Sequence, residues 1–248
     1  MRVAERTASL AEAYRRLQEA EQLKTDLTNM VVHDLKNPVN GIAMMVALAL
    51  RKGQELPEGQ RSYLLQIERS CREMMRLIQN LLEISKIEEG KMPVAREPIV
   101  LAAVADEVAA EYAPVAEQMG RSLDVHVDTA LPHATGDRML LKRVLVNLVV
   151  NALRHSGSSE VRVEAAPDPG AGEITIRVID EGRGIPDEAQ AYVFEKFRSV
   201  RGDPGADTGL GLPFCKLAVE RMGGRIALRS APGQGTEFAV TLPLGGST

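Results

Sequence analysis

The chain has 248 residues, 44% hydrophobic and 26% charged, enough for two ordinary domains that each bury a core. A net charge of −4, aromatics at 3% and no Trp leave neither a basic face for nucleic-acid phosphates nor rings for bases to stack on. Cys71 and Cys215 lie far apart without CxxC spacing, and with only four His in the chain they make no zinc cluster.

No basic segment with a cleavage site opens the chain. Leu10, Ala13, Leu17, Ala20, Lys24 and Leu27 alternate three- and four-residue steps, a coiled-coil seam with one polar interruption. The stripe continues as Leu27, Val31, Leu35, Val39, Ile42 and Val46, and its run of four-residue steps marks a change of heptad phase. At ~100° per residue, His33 lies roughly 200° from both Val31 and Leu35, so it points away from the seam. Asn37, one turn on, shares its face. Pro38 cannot donate to the carbonyl of Asp34 and crowds it, so a kink is expected below His33. A histidine on this face is ordinarily just a solvated residue, but few carry an acid, an amide and a proline as neighbours.

Gly53, Pro57 and Gly59 make residues 51–60 a turn region. Leu64, Ile67, Cys71, Met74, Ile78 and Leu81 then keep heptad spacing, with Cys71 buried on the seam. Two amphipathic helices joined by a short connection pack antiparallel, and stripes this wide stay partly exposed in a lone hairpin. A dimeric four-helix bundle is the expected completion. The longest apolar run, residues 42–50, falls short of the roughly 20 residues a membrane span needs. The expected location is cytoplasmic, with a membrane only if a missing N-terminal sensor supplies it.

After Gly90 the pattern changes. Pro93 and Pro98 mark a linker, followed by strands over 123–127, 160–165, 173–179, 225–229 and 237–242 and helices over 101–119, 138–156 and 210–222. Strands and helices without regular βαβ alternation indicate an α+β two-layer sandwich. Asn147 and Asn151 share one face of the middle helix, beside Leu140, Val144, Leu145 and Leu148. Buried carboxamides cost desolvation unless they meet a ligand, and hard oxygen donors suit a partly hydrated Mg²⁺. Such a pair taken alone is more often two surface amides.

Val178-Ile179-Asp180-Glu181-Gly182-Arg183-Gly184 ends a strand in an acid and two glycines. The acid can accept from an exocyclic amine and the glycines let backbone pass close to a planar base, although a plain tight turn reads the same way. Asp207-Thr208-Gly209-Leu210-Gly211-Leu212 opens a helix whose N–H groups suit phosphates. The polar stretch 198–206 before it has the composition of a lid, which Phe194 and Phe197 would anchor.

Together these stretches resemble the sensor histidine kinases of two-component signalling. The resemblance covers residues 23–244: an H-box at 32–38, an N-box at 147–155, a G1 box at 180–184, an F-box at 194–197, a G2 box at 209–212 and a closing glycine-rich turn at 233–236. It implies a coiled-coil signalling helix (1–24), a dimerisation and phosphotransfer hairpin (25–92) and a Bergerat-type ATP-binding domain (93–248). By the same resemblance His33 is the phosphoacceptor and Asp34 the acid that orients it. Asn151 is the Mg²⁺ ligand with Asn147 in support, Asp180 reads the adenine amine, Arg154 contacts phosphate and His155 flanks the adenine. Gly182 and Gly184 belong to the G1 turn, and Thr208, Gly209, Leu210, Gly211 and Leu212 to the phosphate-side helix start. The H-box reads HDLKNP where many relatives read HELRTP, so Asn37 stands where a threonine is implicated in dephosphorylating the partner. The implied partners are a second copy of the chain and a response-regulator receiver domain, for which this chain has no room. Two other readings are a catalytically silent scaffold and an ATPase of the gyrase and MutL superfamily, which lacks a phosphoacceptor hairpin.

Overall fold

The computed structural model describes residues 2–52, 56–157, 160–168, 170–198 and 209–245. The chain forms two compact units, Met1–Lys86 and Ile87–Thr248. Thr208 and nearly all of the stretch read as a lid lie outside the described residues, as do residues 53–55 of the expected turn.

The first unit is built from α1 (Arg2–Lys52) and α2 (Glu58–Glu88). Helix α1 continues through Pro38. Val32, Val39, Cys71 and Ile78 form its buried cluster, with Ala43, Met75, Leu81 and Leu82 packed around it. Val32 falls outside the stripe expected from sequence, which chose Val31 and Leu35 instead. Val31, Leu35 and Ile42 are exposed while Val39 and Val46 are buried, because one partner helix covers only a narrow strip of α1. Each valine so buried contributes on the order of 1.5 kcal/mol.

The second unit holds the expected helices α3 (Leu101–Gln118), α4 (Arg138–His155) and α6 (Gly211–Arg221), plus a short α5 (Asp187–Gln190). Its main sheet runs β2 (Leu123–His126), β4 (Val161–Asp168), β5 (Glu173–Asp180), β7 (Thr236–Pro243), β6 (Arg225–Ser230). Among the described residues only its β2–β4 pairing is parallel. Two further strands, β1 (Glu97–Ile99) and β3 (Ala134–Gly136), pair antiparallel beside it and were not foreseen. Runs of three residues show no periodicity, and Pro98 inside β1 argues against a strand.

One face of the sheet is covered by helices. Ile174, Ile176 and Val178 of β5 are buried with Phe238, Val240 and Leu242 of β7, against Leu141, Val144, Leu145 and Leu148 of α4 and Phe214, Ala218 and Val219 of α6. Asp137 caps α4, accepting from the N–H of Leu140 at 3.0 Å through one carboxylate oxygen and from that of Ala95 at 3.1 Å through the other. This fixes where α4 starts, and so which of its residues face the sheet.

Candidate functional site

In the hairpin unit the side chain of His33 is 73% exposed, outside the buried strip through Val32 and Val39. Its Nδ1 lies 3.3 Å from Oδ1 of Asp34. A carboxylate can only accept, so this contact places the ring proton on Nδ1 and leaves the Nε2 lone pair outward. Asn37 and Leu35 are exposed on the same helix. The arrangement is an accessible imidazole whose Nδ1 faces a neighbouring carboxylate.

In the second unit the site grows out of the alternation of β5. The period that turns Ile174, Ile176 and Val178 inward also turns Asp180 inward, leaving that carboxylate 4% exposed at the end of the strand. Burial raises its pKa above the ordinary Asp value, against the opposing pull of the Gly182 and Thr236 backbone hydrogen bonds. The Gly182 N–H donates to Asp180 Oδ1 at 2.8 Å. A buried acid with one side satisfied by the turn that follows it is an acceptor directed into the site.

Glycines let the surrounding backbones close on this acid. A Cβ at Gly182 would sit 2.1 Å from the carbonyl oxygen of His155, the last residue of α4, and 2.8 Å from Asp180 Oδ1. At Gly235 it would sit 1.9 Å from the carbonyl oxygen of Asp180, and at Gly184 1.9 Å from that of Ala231. The β6–β7 turn is latched to the G1 turn by polar contacts. Ser230 Oγ accepts from the Ile185 N–H at 2.8 Å and donates to the Gly235 carbonyl at 2.7 Å, and the Gly233 N–H donates to the Arg183 carbonyl at 2.7 Å. Gln190 adds bonds to the carbonyls of Ile185 (2.8 Å) and Ser230 (3.0 Å). Ser230 and Gln190 were not singled out from sequence, since only the fold brings them beside residues 183–185.

Helix α4 supplies the amides. Asn147 is 8% exposed, and its Nδ2 donates to the Arg143 carbonyl at 3.1 Å. That bond uses the amide's nitrogen and leaves Oδ1 as an acceptor or a lone-pair ligand to a cation, 3.5 Å from where a Cβ on Gly211 would lie. Asn151, Arg154 and His155 follow, half-buried. The oxygens of Asn147 and Asn151 are hard, neutral donors of the kind Mg²⁺ accepts beside phosphate and water. Among the described residues no group of three or more His, Cys, Asp or Glu could hold a metal ion.

Helix α6 begins at Gly211 behind Leu210, with no side chain capping it. Leu210 is buried, and Gly211 and Leu212 are half-buried. The Phe197 N–H donates to the Gly209 carbonyl at 3.0 Å. Gly209 has φ 63°, and a Cβ there would approach the Arg198 nitrogen to 2.6 Å. Phe197 has φ 61°, alone among the described non-glycine residues, and is 69% exposed. Phe194 packs edge-on against Phe238 at 6.4 Å, which anchors the segment to β7.

The structure thus brings Asn147, Asn151, Arg154, His155, Asp180, Gly182, Gly184, Gly209, Leu210, Gly211 and Leu212 into the second unit, on α4, the G1 turn and the start of α6. His33, Asp34 and Asn37 stand together on the hairpin.

Comparison with known proteins matches one stretch in each half of the chain. A family model described as the His Kinase A (phospho-acceptor) domain matches residues 23–90, and one described as the histidine kinase-, DNA gyrase B- and HSP90-like ATPase matches residues 136–246. The signal transduction histidine-protein kinase BarA of Escherichia coli K12 is 32% identical over 91% of this chain and 25% of its own length. The alginate biosynthesis sensor protein KinB of Pseudomonas aeruginosa is 32% identical over 90% of this chain and 38% of its own. The chain thus spans roughly a quarter to two fifths of these relatives. The crystal structure of full-length ShkA in complex with AMPPNP superposes with a TM-score of 0.73 at 26% identity, over 90% of this chain and 46% of that one. With a phospho-acceptor domain followed by an ATPase domain in this order, the chain belongs to the sensor histidine kinases.

Proposed function

We propose that this chain is an ATP-dependent protein-histidine kinase that phosphorylates its own His33 and passes the phosphoryl group to an aspartate of a response-regulator receiver domain. The observation that carries the nucleotide half is Asp180, a carboxylate forced to a core-facing position beside a backbone that only glycines allow. Such an acceptor suits the exocyclic amine of adenine. The uncapped first turn of α6 and Arg154 suit the phosphates, and His155 flanks the base. Thr208, Gly209, Leu210, Gly211 and Leu212 would line the phosphate side.

With Asp34 holding the Nδ1 proton of His33, Nε2 attacks the γ-phosphorus in line. The N–P bond forms, the bond to the β–γ bridging oxygen breaks, and ADP leaves with the electron pair. Asn151 and Asn147 would hold Mg²⁺, which when bound supplies charge neutralisation at the phosphates. Residues 86–98 are the linker across which the ATP-binding domain (93–248) must move to reach the hairpin (25–92). The helix over residues 1–24 would bring the signal in.

The same reading extends to partners. Val31, Leu35, Ile42, Ile67 and Met74 leave apolar surface exposed on the hairpin, which a second copy would cover in a homodimeric four-helix bundle. Asn37, exposed one turn from His33, would position water for dephosphorylating the regulator. The charge of −4 offers nothing to nucleic acid. Among the described residues no helix is long and apolar enough to cross a membrane, and the expected setting is the cytoplasmic side of a longer sensor. Calorimetry with AMPPNP, then labelled ATP with a panel of receiver domains, tests the reading. Binding abolished by Asp180→Asn and transfer to a subset of receivers are expected, whereas no binding by the unaltered chain would favour a silent scaffold.

A further inference from the structure

We infer that Arg183, the residue between the two glycines of the G1 turn, is a positioning residue that fixes the tautomer and plane of His155 at the nucleotide site; this rests on the ATP-binding reading above. The Arg183 guanidinium reaches across from the turn after β5, and its Nη2 lies 3.0 Å from His155 Nδ1 at the end of α4. A guanidinium has only N–H groups to offer, so Nδ1 must be the acceptor. In this contact the ring carries its proton on Nε2, the nitrogen opposite the one that faces a carboxylate at His33.

The contact is built rather than incidental. Gly182 brings the turn so close that a Cβ would lie 2.1 Å from the His155 carbonyl oxygen. The G1 turn thus grips the last residue of α4 by both backbone and ring. Arg183 is in turn held at its own carbonyl by the Gly233 N–H at 2.7 Å. Asp180, whose Oδ1 accepts from the Gly182 N–H at 2.8 Å, shares the same corner. A ring presented with a defined Nε2–H and a fixed plane is a preorganised wall for a purine, and the guanidinium selects that state before ligand arrives.

The test uses the full chain with ¹⁵N-labelled histidine. Long-range ¹H–¹⁵N spectra should show His155 as the Nε2–H tautomer in the unaltered protein, assigned by its loss in His155→Gln. Arg183→Met should convert it to a tautomer mixture and raise the Kd for AMPPNP about three- to tenfold, the scale of one hydrogen bond to a charged donor discounted for exposure. Arg183→Lys, which can still donate to Nδ1, should keep the tautomer and most of the affinity. An Nδ1–H tautomer in the unaltered protein would overturn the inference, as would an unchanged tautomer and Kd in Arg183→Met. An unaltered chain that binds no AMPPNP while showing the Nε2–H signal would instead overturn the ATP-binding reading.

Discussion

Gly182→Ala is the smallest change that should dismantle the nucleotide site while leaving the fold intact. The added methyl would lie 2.1 Å from the His155 carbonyl oxygen and 2.8 Å from Asp180 Oδ1, so the G1 turn must move away from α4. No side chain can yield in its place, since the nearest atom is backbone. Overpacking of this kind costs about 1–3 kcal/mol. The shift also strains the 2.8 Å bond from the Gly182 N–H to Asp180, and a hydrogen bond to a charged group is worth about 1.5–3 kcal/mol. A combined loss of about 3 kcal/mol corresponds to roughly a hundredfold weaker AMPPNP binding. Titration calorimetry on the unaltered and variant chains measures it, with circular dichroism to confirm folding. Gly59→Ala is the control, because a Cβ there meets nothing within 4 Å; it should leave binding unchanged and stabilise α2 by about 0.5 kcal/mol. If Gly182→Ala bound AMPPNP within twofold of the unaltered chain, the packing assigned to the G1 turn would be wrong.

Asp180→Asn should trade function for stability. Burial raises the Asp180 pKa, so the folded state holds this proton more tightly than the unfolded chain does. The stability it contributes is fully present below the ordinary Asp range and is lost as pH rises through the raised folded value. At pH 7 the neutral amide should therefore raise Tm, by a few degrees for about 1 kcal/mol, and this gain should vanish on acidification in calorimetric scans. Asn37→Ala should leave autophosphorylation intact but slow loss of phosphate from a phosphorylated receiver at least tenfold, read by gel mobility. Ile42→Glu puts a charge on an exposed apolar face of α1 and should shift the chain from dimer to monomer in light scattering.

The surface exposure of His33 was legible from helical periodicity, whereas for Asp180 the sequence showed an acid at a strand end ahead of two glycines and not its inward direction. The inward direction of an acid is what distinguishes this G1 turn from an ordinary tight turn. Val32 was missed because the stripe through Val31 and Leu35 also fits a 3.6-residue period, and only the position of α2 decides which strip is buried. The need for glycine at 182, 184 and 235 comes from carbonyls of His155, Ala231 and Asp180, distant or across a turn, which spacing does not encode. The Arg183–His155 contact was invisible for the same reason. It joins a turn to a helix end through tertiary approach, and each residue alone looks like a polar surface group.

The most direct test is the fate of His33. Incubated with ATP labelled at the γ-phosphate, the unaltered chain should acquire label that is stable in alkali and lost in acid, as a phosphoramidate is. His33 is exposed on α1, so His33→Gln should fold and bind AMPPNP normally yet acquire none. Label of the same acid lability on His33→Gln would place the phosphoacceptor elsewhere and contradict the account.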